Sequence, residues 1–298
     1  MIIVRLQGGL GNQMFQYAFG KNLAAMKGVD FKLDISHLQA RYKSKKKVFR
    51  TFDLDIFNIE YKIATNFEIL KFAIPRVNNK YLFHVLDKIY KRKNVFVETR
   101  PYLFDKGVFA NPGEAYYIGY WQSFKYFESI SDQIKKNFLI KYPPLNVSTE
   151  LYKKIMNSNS ICLNFRRTDY IGDKTLGTLI GEDGNKYYKN AIENILDKVS
   201  NPTFFIFSDD IEWCKANIKL SSETIFVDYR HAGPKYSNYL KLMSACKNFV
   251  IPNSSFAWWA AWLSENINKI IIVPNQWTTN IRLNESDLVP ETWEKINL

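Results

Sequence analysis

The stretch SICLNFRRTDYIGDKT, residues 160–175, sets the frame for the rest of the chain. It opens with an apolar run, Ile161-Cys162-Leu163, that reads as a buried strand. The run breaks into Arg166-Arg167-Thr168-Asp169-Tyr170 and then a Gly172-Asp173 turn. Two adjacent arginines at the end of a central strand are hard to bury without an anion, and the planar guanidinium fork suits phosphate oxygens. In open α/β sheets that strand end is where ligands bind. The alternative is a solvated loop carrying surface arginines, and the surrounding sequence decides between the two.

Downstream, strand and helix patterns alternate. Tyr187–Val199 is an amphipathic helix pattern, and the strand Pro202–Phe207 runs straight into Ser208-Asp209-Asp210. Ile211–Asn217 is the helix after it, followed by strand Thr224–Asp228 and helix Tyr236–Ala245. The strand Phe249–Pro252 then leads through Asn253-Ser254-Ser255-Phe256 into the helix Ala257–Leu263, and strand Ile270–Val273 closes the series. Alternation at this spacing predicts a parallel, doubly wound sheet. Polar corners at Arg166–Asp169, Ser208–Asp210 and Asn253–Ser255 all follow strands, so parallel strands would bring them to one edge.

Upstream, the strand Ile2–Leu6 is followed by Gly8-Gly9-Leu10-Gly11-Asn12-Gln13. A helix pattern comes next, with Met14, Tyr17, Ala18, Leu23 and Ala24 mostly on one face, and then the strand Asp30–Asp34, completing a βαβ unit. Glycines before a helix N-terminus can present backbone N–H groups to an anion, or can simply make a tight connection, with Asn12 and Gln13 as capping groups. Residues 40–110 hold no motif with evident chemistry. Ala115–Ser123 (AYYIGYWQS) contains a strand whose aromatics serve either as core or as a platform for sugar C–H faces. Lys125–Phe138 reads as helical, and the proline-stiffened KYPPLN at 141–146 marks a boundary between domains 1–145 and 146–298.

The chain has 298 residues and a globular composition, 46% hydrophobic and 23% charged. It has no apolar run long enough for a transmembrane helix and no signal-peptide h-region, so a cytoplasmic location is expected. Three widely spaced cysteines give neither a disulfide framework nor a zinc pattern. The net charge of +12 is uneven: residues 1–150 carry 24 Lys and Arg against 13 Asp and Glu, and residues 151–298 carry 17 against 16. The cluster Arg41–Arg50 reads either as a solvated loop or as a contact for nucleic acid, an anionic membrane surface or an acidic substrate. A Walker A motif, HExxH and a GxSxG elbow are all absent. His37, His84 and His231 are scattered and read as ordinary histidines. Asp209-Asp210 could hold a divalent cation or serve hydrogen bonding and capping; with arginines to neutralise a diphosphate, no metal is expected. A basic nucleic-acid-binding protein is disfavoured because the sequence contains no recognition-helix motif.

The motifs together resemble glycosyltransferase family 11, the bacterial α-1,2-fucosyltransferases. The resemblance rests on IIVRLQGGLGNQMFQYAFGKNLA at the N-terminus, NFRRTDY, YYKNAI, FSDD, SACKNFVIPNSSFAWWAAWL, PNQW and LVPETW, in order. It implies a GT-B architecture of two Rossmann-like domains facing across a cleft, GDP-β-L-fucose as donor, and the 2-hydroxyl of a terminal galactose on a glycan acceptor. The implied chemistry is inversion with no required metal. By the same resemblance Arg166 binds the β-phosphate, while Arg167 and Asn164 support or contact the nucleotide. Asp209 and Asp210 recognise guanine or ribose. Asn253, Ser254, Ser255 and Phe256 form a phosphate corner, joined by Gly9, Gly11, Asn12 and Gln13. Asn164 stands where the family usually has histidine, so that position cannot titrate near neutrality. Asp169 is the motif's carboxylate, either a general base or an orienter of arginine, with Asp173 and Glu182 as alternative bases. The arginine motif alone is shared with α-1,6- and protein O-fucosyltransferases. The basic N-terminal half would suit an enzyme working at an anionic membrane face on a surface-polysaccharide precursor.

Overall fold

The structure, a computed structural model, describes residues 1–39, 50–72, 94–143, 145–166, 185–278 and 283–297. The Arg41–Lys47 run, Arg167, Asp169, Asp173 and Glu182 lie outside them. The chain divides into two compact units: Met1–Leu139 with Asn284–Val289, and Ile140–Leu283 with Pro290–Leu298. The expected boundary near residue 145 thus falls at Leu139–Ile140 by packing, and the segment Asn284–Val289 belongs with the first unit.

In the first unit β1 (Ile2–Arg5) is followed by α1 (Leu10–Lys27) and β2 (Phe31–Asp34). Later come β3 (Val95–Val97) and β4 (Ala115–Ile118). All pairings are parallel, in the order β2-β1-β4-β3, with Ile2 opposite both Phe31 and Ala115. The sequence pattern puts the apolar side chains of α1 mainly on one face; instead the helix is buried on nearly every side from Leu10 to Ala24. One side meets the sheet at Gly20, where an added Cβ would lie 2.3 Å from the Phe31 ring and 2.8 Å from Val4. Another side meets the segment after β4: Asn22 donates to the Tyr126 carbonyl at 2.7 Å, and Phe19 stacks on Trp121 at 4.2 Å. A helix enclosed this way needs apolar residues all round, which dilutes its amphipathic signal. Gly28, at φ +62°, ends the helix by donating its N–H to the Ala24 and Ala25 carbonyls. The helix read over Lys125–Phe138 is regular only at Ser131–Asn137; the residues before it form two 3₁₀ turns.

The second unit contains β5 (Asn159–Phe165), β6 (Pro202–Ser208), β7 (Glu223–Val227), β8 (Asn248–Val250), β9 (Ile271–Pro274) and β10 (Glu294–Ile296). They form one parallel sheet in the order β10-β9-β8-β5-β6-β7. Strand β10 corrects the sequence reading, in which the series closes at Val273: Glu294–Ile296 pairs with Ile272–Pro274. Three residues with a charged face carry little periodicity, so this edge strand is set by its partner. The central strands are apolar on both faces, as helices on either side require. Tyr187, buried on the helix after β5, donates to the Ile251 carbonyl at 2.6 Å and sits 3.2 Å from that of Ile272, pinning the ends of β8 and β9. All three cysteines are buried and free. Among the described residues no helix is long and apolar enough to cross a membrane.

Because Gly20 has no room for a side chain, Gly20→Ala is expected to force the helix off the sheet and cost about 1–3 kcal/mol. A thermal or urea unfolding curve checks this, and unchanged stability would contradict the close approach of α1 to β1 and β2.

Candidate functional site

Since β8, β5, β6 and β7 are neighbours and parallel, their carboxyl ends share one edge of the sheet. Register sets the residues level: Leu163 is opposite Val250, and Phe165 opposite Ser208. The residues just past these strands therefore line up as a row of polar corners.

The first corner joins β5 and β8. Arg166, half-buried just past β5, directs Nη1 to Ser254 Oγ at 3.4 Å. Ser254 is buried and caps the nine-residue helix Ser255–Leu263, its Oγ accepting from the Ala257 N–H at 3.4 Å. Pro252 stops the strand pattern, a serine cap starts the helix, and the apolar body with Trp258 and Trp259 buries it. Guanidinium, hydroxyl and helix N-terminus thus share one corner, with the helix dipole adding positive potential. Ser255 and Phe256 occupy the first turn and are half-buried. Asn253 is buried with Nδ2 donating to the Trp277 carbonyl at 3.0 Å, which ties this corner to the chain after β9. Asn164 donates through Nδ2 to the Phe207 carbonyl at 3.0 Å, and its own carbonyl accepts from the Tyr188 hydroxyl at 2.8 Å. That side chain therefore braces β5 against β6, beneath the arginine.

The second corner follows β6. Ser208 Oγ accepts from the Asp210 N–H at 2.9 Å, and Asp210 Oδ1 accepts from the Trp213 N–H at 3.2 Å as the cap of helix Ile211–Asn217. Beside it, after β7, the Tyr229 hydroxyl donates to the Asp209 carbonyl. Arg230 pairs with Asp228 (Nη2 to Oδ2, 2.8 Å), and the guanidinium holds the Asp228 carboxyl down at about 2. Asp209, Asp210, Ile211 and Glu212 face Asp228, Tyr229 and Arg230 across a pocket of about 350 Å³. Its far wall is braced from behind: His231 Nδ1 meets Ser148 Oγ at 2.9 Å, and Asn238 donates to both Ser148 Oγ and the His231 carbonyl at 2.8 Å. Burial keeps the His231 imidazole below its ordinary range, so this histidine braces the wall in its neutral form at neutral pH.

The sequence reading missed Asp228, Tyr229 and Arg230. The signal was available, since Thr224–Asp228 reads as a strand in the same series and its end is a fourth polar corner. The Arg166, Asp209–Asp210 and Asn253–Phe256 groups all fall on this one edge, and Asn164 lies at its root. Arg167 and Asp169 are outside the described residues.

Gly9, Gly11, Asn12 and Gln13 lie in the first unit, at the start of α1. Gly8 has φ +79°, and Gly9, extended, is the helix cap. A Cβ on Gly8 would fall 2.3 Å from Asn12 Nδ2. Gln13 is buried with its amide engaged at both ends: Nε2 donates to the Gly8 and Thr51 carbonyls at 3.1 and 2.8 Å, and Oε1 accepts from the Asp53 N–H at 2.9 Å. Asn12 Oδ1 accepts from Gln122 at 2.8 Å. These two side chains hold the glycine turn, and the backbone N–H groups of Asn12 and Gln13 close it further by donating to the Gly9 carbonyl at 3.0 and 3.1 Å.

Residues 1–297 match the sequence profile of Glycosyl transferase family 11. An alpha-1,2-colitosyltransferase of Escherichia coli is 32% identical, with 99% of each chain covered. The O-antigen biosynthesis glycosyltransferase WbnK of Escherichia coli is 33% identical over 98% of this chain and 99% of its own. A galactoside 2-alpha-L-fucosyltransferase of Caenorhabditis elegans is 23% identical over 100% of this chain and 79% of its own. Among solved structures, the alpha-1,6-fucosyltransferase NodZ soaked with GDP-fucose shares the fold, with TM-score 0.50 and 13% identity over 88% of this chain and 92% of that one. A profile match over essentially the whole chain, with two relatives above 30% identity at nearly full length, places it: the chain belongs to glycosyltransferase family 11.

Proposed function

We propose that the protein is an inverting glycosyltransferase that moves L-fucose from GDP-β-L-fucose to the 2-hydroxyl of a terminal β-galactose. The observation that carries the reading is the anion corner, Arg166 on Ser254 at the N-terminus of helix Ser255–Leu263. Breaking the bond from the sugar to GDP builds positive charge on the ring and negative charge on the β-phosphate. A preorganised guanidinium and helix N-terminus oppose that second charge without having to reorganise during the step. The pocket between Asp209–Glu212 and Asp228–Arg230, further along the same edge, suits the nucleoside. Its carboxylates accept from guanine N–H groups or ribose hydroxyls. Asp169 would supply either the general base or an orienting partner for the arginines, with Asp173 and Glu182 as the other bases. The chain's α-1,2-colitosyl relative favours a second reading of the donor, since colitose is 3-deoxy-fucose and needs the same diphosphate chemistry.

The surface-polysaccharide setting follows the O-antigen relative. The cationic excess of residues 1–150 supports work at an anionic membrane face, and sedimentation with anionic but not neutral vesicles is the expected outcome.

Arg166→Ala is expected to lower kcat on the order of 100–1000-fold. Arg166→Lys should fall nearly as far, because a point charge does not replace the fork. Retention of more than a tenth of wild-type turnover by Arg166→Ala would remove the assignment. GDP release measured with GDP-fucose, GDP-colitose and GDP-mannose against lactose and N-acetyllactosamine fixes the donor. The expected result is acceptor-dependent release with GDP-fucose that persists in EDTA. Preference for GDP-colitose would select the second reading, and loss in EDTA would overturn the metal-free mechanism.

A further inference from the structure

In the first unit, a carboxylate with no task in the chemistry above sits at the carboxyl edge of the sheet. Glu98 directly follows β3, level with the end of β4. Its Oε2 accepts from the Tyr120 N–H at 2.7 Å and its Oε1 from the Trp121 N–H at 3.1 Å. Gly119 makes this approach possible, since a Cβ there would lie 2.5 Å from Glu98 Cβ. A carboxylate has about four acceptor positions, and two are used here. Among the described residues no ion pair includes Glu98. Burial raises its carboxyl above the ordinary range, opposed only by the two N–H groups.

The surroundings are strained and aromatic. Trp121 at φ +54° and Tyr102 at φ +67° hold left-handed conformations that bulky residues rarely adopt. Such strain persists where the surrounding structure imposes it, and it clusters at ligand sites. Trp121 is locked against Phe19, so the turn is rigid, and its neighbour Tyr120 is 39% exposed. The Tyr102 hydroxyl, pushed up to about 12 chiefly by burial, also feels the charges of Glu285, Glu98 and Tyr120 and so belongs to the same cluster.

We infer that Glu98 and Tyr120 form a hexopyranose subsite, taking the terminal sugar of the acceptor. Two neighbouring sugar hydroxyls donate to the remaining acceptor positions of the carboxylate, and the C–H face of the ring packs on Tyr120. Hydrogen bonds to a charged, partly desolvated acceptor are the strong kind, and a ring on a rigid turn loses little freedom on binding. The inference rests on the reading that this enzyme glycosylates a glycan.

The test uses full-length protein with GDP present. Methyl β-D-galactopyranoside and lactose are titrated by saturation-transfer NMR into wild type, Glu98→Gln and Tyr120→Ala, and GDP affinity is measured by calorimetry. Tyr120→Ala keeps the backbone N–H that Glu98 holds, so it tests the ring apart from the clamp. Sugar binding is expected to weaken about tenfold or more in each variant, with GDP affinity within about twofold of wild type. Wild-type-like sugar binding in both variants would overturn the subsite, as would GDP affinity falling in step or no saturable sugar binding to wild type. None of these readouts needs turnover, so an error in the donor assignment would appear in the transfer assay and not here.

Discussion

Everything in the second unit depends on the backbone hydrogen bonding of β5 to its two parallel neighbours, β6 and β8. Parallel pairing leaves no choice about direction: each strand must end on the same edge, and the chain must cross back to the opposite edge before the next begins. After β6 and β8 a helix starts directly at that edge, at Ile211 and Ser255, with first-turn N–H groups that need caps and a dipole whose positive end faces the edge. Arg166, Asp210 and Ser254 stand where those demands converge. The same edge has to cap helices and can meet an anion.

Several side chains at this edge serve the fold and the site at once. Ser254 caps a helix and carries the arginine; Asp210 caps another and lines the pocket. Asn164 braces β5 on β6 below the arginine, and Tyr187 holds the ends of β8 and β9 from the far side. Phe165 packs on Tyr188 at 4.1 Å, so the last strand residue before Arg166 is fixed by aromatic contact as well as by pairing. An arginine mounted this way reaches its partner without first being ordered, and that ordering cost would otherwise be met at each turnover.

The first unit solves a different problem with the same strand–helix alphabet. Its helix α1 is enclosed, so close approach at Gly20 and satisfied amides at Gln13, Gln16 and Asn22 replace an amphipathic face. Buried amides of this kind must all find partners, and Gln16 and Asn22 do so on the backbone around and after β4, the segment that Glu98 clamps from its other side. The rigid turn at Tyr120–Trp121 is the product of those two sets of constraints.

Much of the second unit was legible in the chain itself. Runs such as PTFFIFS and ICLNF are long, apolar and β-branched or aromatic, and each ends in a polar corner, so strand order along the chain and the shared site edge come from local pattern and the parallel rule. The glycine turn before α1 was legible for the same reason, because Gly8 and Gly9 admit few other structures. Three features were decided only by tertiary contact. The strand Glu294–Ile296 exists because β9 offers an open edge, and no periodicity announces it. The burial of α1 on all sides comes from segments distant in sequence packing over its outer face, which a single-face reading cannot contain. The Tyr229–Asp209 contact across the pocket and the Glu98 clamp join residues about 20 apart through backbone groups. A backbone group carries no side-chain identity, so such contacts leave no mark in the sequence until the fold brings them together.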